Sequence, residues 1–235
     1  MIHATLLCTS PTRVTDGMLF YLDLETSGLD LLADEIVEIA VMSSCGHIFS
    51  TVCRPSVLPD GPSVHGIPND ELRLGPSFSQ ALTRLYKFMG DVVEMTVLDE
   101  ALSDDDSSSG PVLRDSPPTP LVIAHNGIRF DFPMLLSEAF RKGVRCDTMA
   151  DWKFADSLDL VRLLDPGCMK LQCMVQTCLP IGNLRAHRAL DDVIALREVC
   201  EFVAARLGSS TLSLFESVAR TLDLDASEVH LATFL

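Results

Sequence analysis

MLFYLDLETSGLD, residues 18–30, is the stretch on which the fold turns. Leu19, Phe20, Tyr21 and Leu22 are apolar or strand-forming, and Gly28 ends the run, so the segment reads as a β-strand. Asp23 and Glu25 stand two residues apart on it. Side chains alternate along a strand, which puts both carboxylates on one face. Such a pair repels itself and loses hydration, and a bound cation offsets both costs. The plainer reading is two solvated acids at a strand end. The spacing alone does not choose between them.

Two further strand-like runs follow, EIVEIAVM (35–42) and HIFSTVC (47–53), parted by a Ser-Ser-Cys-Gly turn. With the first strand they read as a meander. Pro55, Pro59, Gly61 and Pro62 mark a loop. Asn69 is expected to cap a short helical turn after Pro68. Phe78, Leu82, Leu85 and Val92 keep helical spacing from Ser77, the expected N-cap, to about Leu98. Residues 99–120 are acidic, then Ser-rich, then Pro-rich, and read as a flexible surface insertion. Leu121–Ala124 reads as a buried strand that delivers His125, Asn126 and Gly127 at its end. A helix is expected over Asp131–Lys142, closed by Gly143. A short strand follows at Phe154–Ser157. Helices are then expected at 158–164, 169–178, 189–207 and 211–222. The order implies an α/β fold: a mixed sheet of about five strands with helices on both faces.

At 235 residues, 47% hydrophobic and 22% charged, the chain suits one globular domain. No run is long and apolar enough for a transmembrane helix, and the start lacks the basic and apolar regions of a signal peptide. The expectation is an intracellular protein, nuclear, cytoplasmic or both. Eight cysteines lie scattered with no C-x-x-C pair, and most are expected to be buried free thiols. The net charge of −15 lacks the basic footprint common in nucleic-acid binders. Part of it is local, because residues 99–120 hold six acids against one base.

Two more segments carry candidate chemistry. In AHNGIRFDFPML (124–135), Asp131 opens a helix, where an acid serves either as a cap or as a ligand. In AHRALDDVIAL (186–196), His187 precedes a helix. Asp192 aligns with Leu196, Val199 and Val203 on the apolar face, whereas Asp191 aligns with the mixed face of Ala195, Glu198 and Phe202. Asp192 is therefore the inward acid, and it needs a partner to offset its desolvation. Four carboxylates and a histidine at element ends suit two-metal phosphoryl chemistry. Oxygen ligands select Mg²⁺, two per site, with Mn²⁺ able to substitute. A histidine near neutral pKa can take a proton from water.

Asp23-x-Glu25, Asp131 and His187-x₄-Asp192, in that order, resemble the DEDDh 3′→5′ exonucleases of the RNase H-like fold. DLETSGL, VHGI, LVIAHNGIRFDFPML, ADS at 155–157 and HRALDD are most similar to the Trex (three-prime repair exonuclease) branch. The resemblance spans about residues 18–208, which makes 1–17 an N-terminal extension and 209–235 a C-terminal helical one. It implies that Asp23 and Glu25 ligate both metals or their waters, with Asp23 bridging, that Asp131 holds the second metal and Asp192 the first, and that His187 is the general base. It also implies a wedge at Leu29, contacts from Thr26, Ser27 and Gly28 to the 3′ nucleotide, and nucleic-acid contacts from Asn126 and Arg129. DNA 3′ ends are the favoured substrate. An exoribonuclease and a non-catalytic nucleic-acid-binding protein are the alternatives. The resemblance further implies a homodimer, formed through the third strand as a free edge. Arg141, Lys142, Arg145, Arg185 and Arg188 are candidate phosphate contacts or solvated faces.

Overall fold

The computed structural model describes residues 17–58, 65–103, 117–179 and 188–221. Strands β1 (Gly17–Thr26), β2 (Ile36–Ser43) and β3 (Ile48–Val52) form the expected antiparallel meander. Strands β4 (Thr119–Ala124) and β5 (Lys153–Asp156) add in parallel on the far side of β1, and β6 (Arg220–Thr221) closes that edge antiparallel to β5. The order is β3-β2-β1-β4-β5-β6, so β3 is an edge strand, as expected.

The period-two alternation of β1 sorts its side chains into two cores. Phe20, Leu22 and Leu24 pack under α2 (Phe78–Ser103) and α3 (Asp131–Arg141). Leu19 and Tyr21 pack under α5 (Leu171–Cys178), α6 (Ala189–Arg206) and α7 (Thr211–Glu216), with α4 (Ser157–Val161) at the rim. α1 (Asn69–Leu74) covers the end of β2 and β3 through Leu72. Each fully buried large side chain contributes roughly 1.5–3 kcal/mol of transfer free energy. In the first core, Phe132 and Phe154 meet edge-to-face at 4.8 Å, which ties the start of α3 to β5. No helix among the described residues is long and apolar enough to cross a membrane.

Several expectations need correction. The sheet has six strands, because the expected helix over 211–222 stops at Glu216 and the chain turns to pair Arg220 and Thr221 with Phe154 and Lys153. No glycine or proline marks that break; the unpaired edge of β5 supplies the alternative hydrogen bonds. The acidic stretch begins inside α2, since residues 99–103 include good helix formers and add a last turn. At its other end, Thr119 and Pro120 already pair with Gly17 and Met18. Residues 104–116, like the two chain extensions 1–16 and 222–235, lie outside the described residues. Asn69 is the first residue of α1 rather than its cap, with Pro68 in the cap position. Ser77 does cap α2: its Oγ accepts from the Gln80 N–H at 3.4 Å, and the Gln80 side chain accepts from the Ser77 N–H at 3.0 Å. Cys168 and Cys173 form a disulfide instead of remaining thiols, because the turn before α5 folds back on its first turn. Cys53, Cys178 and Cys200 are buried free thiols, as expected.

Candidate active site

Asp23 and Glu25 are odd-numbered residues of β1, so they continue the face of Leu19 and Tyr21 toward the strand's end. That face lies under α6. The first turn of α6 sends Asp192 inward, 8% exposed, while Asp191 is only half-buried. Carboxylate oxygens of Asp23, Glu25 and Asp192 come within 4.8 Å of one another. Asp131, 4% exposed, opens α3 across the end of β1 and is not in that close trio. Among the neighbouring carboxylates, its charge acts most strongly on Asp23. Three of the four expected acids thus converge, and the charge of the fourth disfavours that of Asp23. His187 lies outside the described residues.

The electrostatics of this cluster suit a hard divalent ion. Burial, followed by the charges of Asp131, Asp192, Glu25 and Glu38, pushes Asp23 well above the usual carboxylate range. Burial with Asp192 and Glu38 raises Glu25 to about 7, against the pull of Arg188. Burial raises Asp131 to about 7, against hydrogen bonds from its own backbone N–H and that of Leu24. Oxygen donors this crowded and desolvated hold protons or a cation.

A pH dependence follows. A carboxyl with a raised folded pKa stabilises the fold fully below its unfolded value, near about 4. That contribution is lost as pH rises through the folded value, about 7 for Glu25, Asp131 and, at the other end of α3, Glu138. Burial lowers His65 and His125, which gives the opposite slope, but only below their unfolded value near about 6.5. Between pH 6.5 and 8.5 the melting temperature in EDTA should therefore fall. Mg²⁺ should restore it most at the alkaline end, where no proton has to leave the ligands. Differential scanning calorimetry checks this; a flat or rising EDTA series would contradict it.

The chain leaves β1 through a tight loop. The register shifts between Glu25 and Thr26, and the Thr26 Oγ1 donates to the Gly28 carbonyl at 2.6 Å. Asp34 organises the turn: its carboxylate accepts from the Ser27 hydroxyl at 2.9 Å and the Asp30 N–H at 2.8 Å. α3 anchors the loop from behind, where Ser137 donates to the Leu31 carbonyl and Arg141 to the Asp34 carbonyl, both at 2.5 Å. Leu29 projects from this frame 81% exposed. A Cβ on Gly28 would lie 2.3 Å from an Asp34 carboxylate oxygen. Gly28→Ala should therefore displace Asp34 and loosen the Leu29 loop. The expected cost is about 1–3 kcal/mol, read as a lower urea midpoint.

After β4, Asn126 takes the left-handed conformation, φ 62°, which asparagine tolerates. Gly127 follows because a Cβ there would lie 2.4 Å from that of Ala124. Asp156, 5% exposed at the end of β5, accepts from the N–H groups of Asn126 at 2.9 Å, Ile128 at 3.3 Å and Leu158 at 2.9 Å. His125 Nε2 donates to the Met169 carbonyl at 2.7 Å, and the Ser157 hydroxyl lies 2.8 Å from Nδ1. Burial lowers the His125 pKa, so a neutral ring accepting from Ser157 satisfies both bonds. Asn126 and Arg129 line an open groove of about 250 Å³ with Asp156, Asp159, Arg162 and Arg220.

The structure gives four of the five candidate basic residues partners within the chain. Arg141 is held by the Asp34 carbonyl, Lys142 by Glu35 and Ser56, and Arg145 by Asp147. Arg188 pairs with Glu38 at 2.8 Å and Glu71 at 3.1 Å. Arg185 lies outside the described residues. Sequence reasoning missed Glu38 and assigned Asp156 no role. The signal for Glu38 is an acid between Val37 and Ile39 in a strand otherwise wholly apolar or small. The signal for Asp156 is an acid that ends one strand beside the polar turn ending another.

The sequence model of the Exonuclease family matches residues 20–102, a span holding Asp23 and Glu25 but neither Asp131 nor Asp192. The chain is 29% identical over 219 residues to the Arabidopsis thaliana exonuclease DPD1, chloroplastic/mitochondrial, covering 84% of this chain and 58% of that protein. It is 28% identical over 232 residues to the PolC-type DNA polymerase III of Thermotoga maritima, covering 94% of this chain and 14% of that protein. It therefore spans less than two thirds of the length of either relative. The structure superposes on E. coli exonuclease I in complex with a dA16 oligonucleotide with a TM-score of 0.61 at 18% identity, covering 86% of this chain and 43% of that one. The fold is α/β and RNase H-like, and the chain is similar in sequence to the Exonuclease family model and to a plant exonuclease.

Proposed function

We propose that this protein is a metal-dependent 3′→5′ exonuclease of the DEDDh type, closest to the Trex branch, releasing 5′-mononucleotides from DNA 3′ ends. The observation that carries this reading is the convergence of Asp23, Glu25 and Asp192 at the end of β1, with the buried Asp131 opening α3. Asp23, Glu25, Asp131 and Asp192 would hold the divalent ions. Mg²⁺, or Mn²⁺ in its place, supplies Lewis-acid polarisation and charge neutralisation when bound there. His187 takes the proton from the attacking water. Leu29, fixed by the Asp34 turn, wedges at the terminal base, and the backbone of Thr26, Ser27 and Gly28 faces the 3′ nucleotide. Asn126 and Arg129 contact the strand from the groove they line. The names of the polymerase relative and of the oligonucleotide complex favour DNA over RNA. In the same reading the edge strand β3 pairs with a second copy of the chain. A monomer in light scattering at assay concentration would remove that part.

The test is degradation of 5′-labelled single-stranded DNA and matched RNA in Mg²⁺ and in EDTA, for wild type and Asp192→Asn. Stepwise Mg²⁺-dependent shortening that the variant lacks supports the exonuclease. The DNA-to-RNA rate ratio chooses between DNase and RNase. If neither polymer is shortened, the non-catalytic binding reading takes its place.

A further inference from the structure

Glu38 is an acid on a strand whose every residue is buried, and it is 1% exposed. A bare carboxylate there would cost several kcal/mol. It lies on the α6 face of β2, directly opposite Glu25 in the antiparallel register. A second acid beside Glu25 adds repulsion, and it does raise both Asp23 and Glu25. The cluster would be less strained with an apolar residue at this position, so its presence calls for a compensating use.

Its hydrogen bonds supply one. Oε1 accepts from Arg188 Nη2 at 2.8 Å, and Oε2 accepts from Arg188 Nε at 3.2 Å and from the Ala189 N–H at 3.0 Å. Arg188 is the N-cap position of α6, and Ala189 is its first residue. The Arg188 carbonyl then accepts the Asp192 N–H at 3.1 Å, the first helical bond. One carboxylate on the sheet thus grips both the side chain and the backbone at the start of α6, one turn before Asp192. Glu71 of α1 holds the same guanidinium from outside at 3.1 Å. Arg188 in turn draws the Glu25 pKa down, against burial and the other acids.

From this geometry we infer that Glu38 and Arg188 are positioning residues: they fix the start of α6 so that Asp192 meets Asp23 and Glu25, and they thereby set the divalent-ion affinity of the cluster. The inference rests on the metal-dependent reading above. It assigns Glu38 a role through Asp192 and gives it no contact with substrate. Residues that orient metal ligands typically govern metal affinity by about 10–100-fold.

The experiment is isothermal titration of the full chain with Mn²⁺ and with Mg²⁺, alongside exonuclease rates over a Mg²⁺ series, for wild type, Glu38→Gln, Arg188→Lys and Asp23→Asn. Glu38→Gln keeps shape and one acceptor; Arg188→Lys keeps charge but loses the fork. Both are expected to weaken metal binding about tenfold or more and to shift half-saturation by Mg²⁺ to match, with activity partly recovered at high metal. A purely structural role would lower the melting temperature and leave metal affinity per folded molecule unchanged, and that result overturns the inference. Should Glu38→Gln fail to fold, Arg188→Lys decides alone by the same criterion. Failure of the exonuclease reading looks different: wild type would bind metal yet degrade nothing, and the affinity comparison would still stand. Wild type binding no metal would overturn both.

Discussion

Asp23→Asn is expected to lower Mg²⁺-dependent degradation of DNA 3′ ends by about 10³-fold or more. It should also raise the melting temperature of the metal-free protein at pH 8. The two effects share one cause. Asp23 is desolvated and faces Asp131, Asp192, Glu25 and Glu38, all of which disfavour its charge. With a cation bound, that charge is the reason the ion stays. Without one, it is unpaired repulsion in a poorly hydrated place. An amide of the same shape removes the repulsion and the ligand together. In EDTA the variant should therefore outlast wild type on heating, by about 2–4 °C for each kcal/mol relieved. Adding Mg²⁺ should reverse the order, since only wild type gains stability by binding. Equal activity in the two proteins would remove Asp23 from the reaction. A variant less stable in EDTA would show that its carboxylate is satisfied by something other than a metal.

Asp156→Ala should be the most damaging substitution outside the carboxylate cluster. Its carboxylate accepts three backbone N–H groups, from Asn126, Ile128 and Leu158, and therefore holds the ends of β4 and β5 together. Alanine leaves these donors without their acceptor. The expected cost is about 3–5 kcal/mol, or a melting temperature lower by roughly 10 °C. Asp156→Asn keeps one acceptor oxygen and should lose about half as much. Ser157→Ala, which removes one hydroxyl from His125, should cost about 1 kcal/mol. The turn held by Asp156 carries Asn126 and leads through Arg129 to Asp131. Activity in Asp156→Asn should therefore fall more than the fraction unfolded, with KM rising before kcat falls. Thermal melts with steady-state kinetics at 20 °C check both parts. A stability loss with unchanged KM would limit Asp156 to a structural role.

The legible parts of this protein were those with a local period. The alternation in β1 put Asp23 and Glu25 on one face, and the structure places that face under α6. The helical period of residues 189–207 chose Asp192 over Asp191, and only Asp192 is buried. Ser77 was readable as a cap because its partner lies three residues away. The misread parts have partners far off in sequence. Residues 211–222 look helical throughout, and the turn to β6 exists only because β5 offers an open edge. Arg188 looks like a surface cation, yet its partner Glu38 is 150 residues earlier.

The sequence by itself determined the order of strands and helices as far as α7, the face each apolar stripe presents and the residue types available for metal chemistry. These follow from side-chain direction in a strand and a helix, which the backbone fixes within a few residues. Only the tertiary structure decided that three carboxylates from β1 and α6 converge within 4.8 Å. It alone turned Asp156 into the clasp between two strand ends and Glu38 into the anchor of α6. The physical reason is that a buried charge is tolerable only where distant chain segments bring its hydrogen-bond partners, and no local pattern records which segments those are.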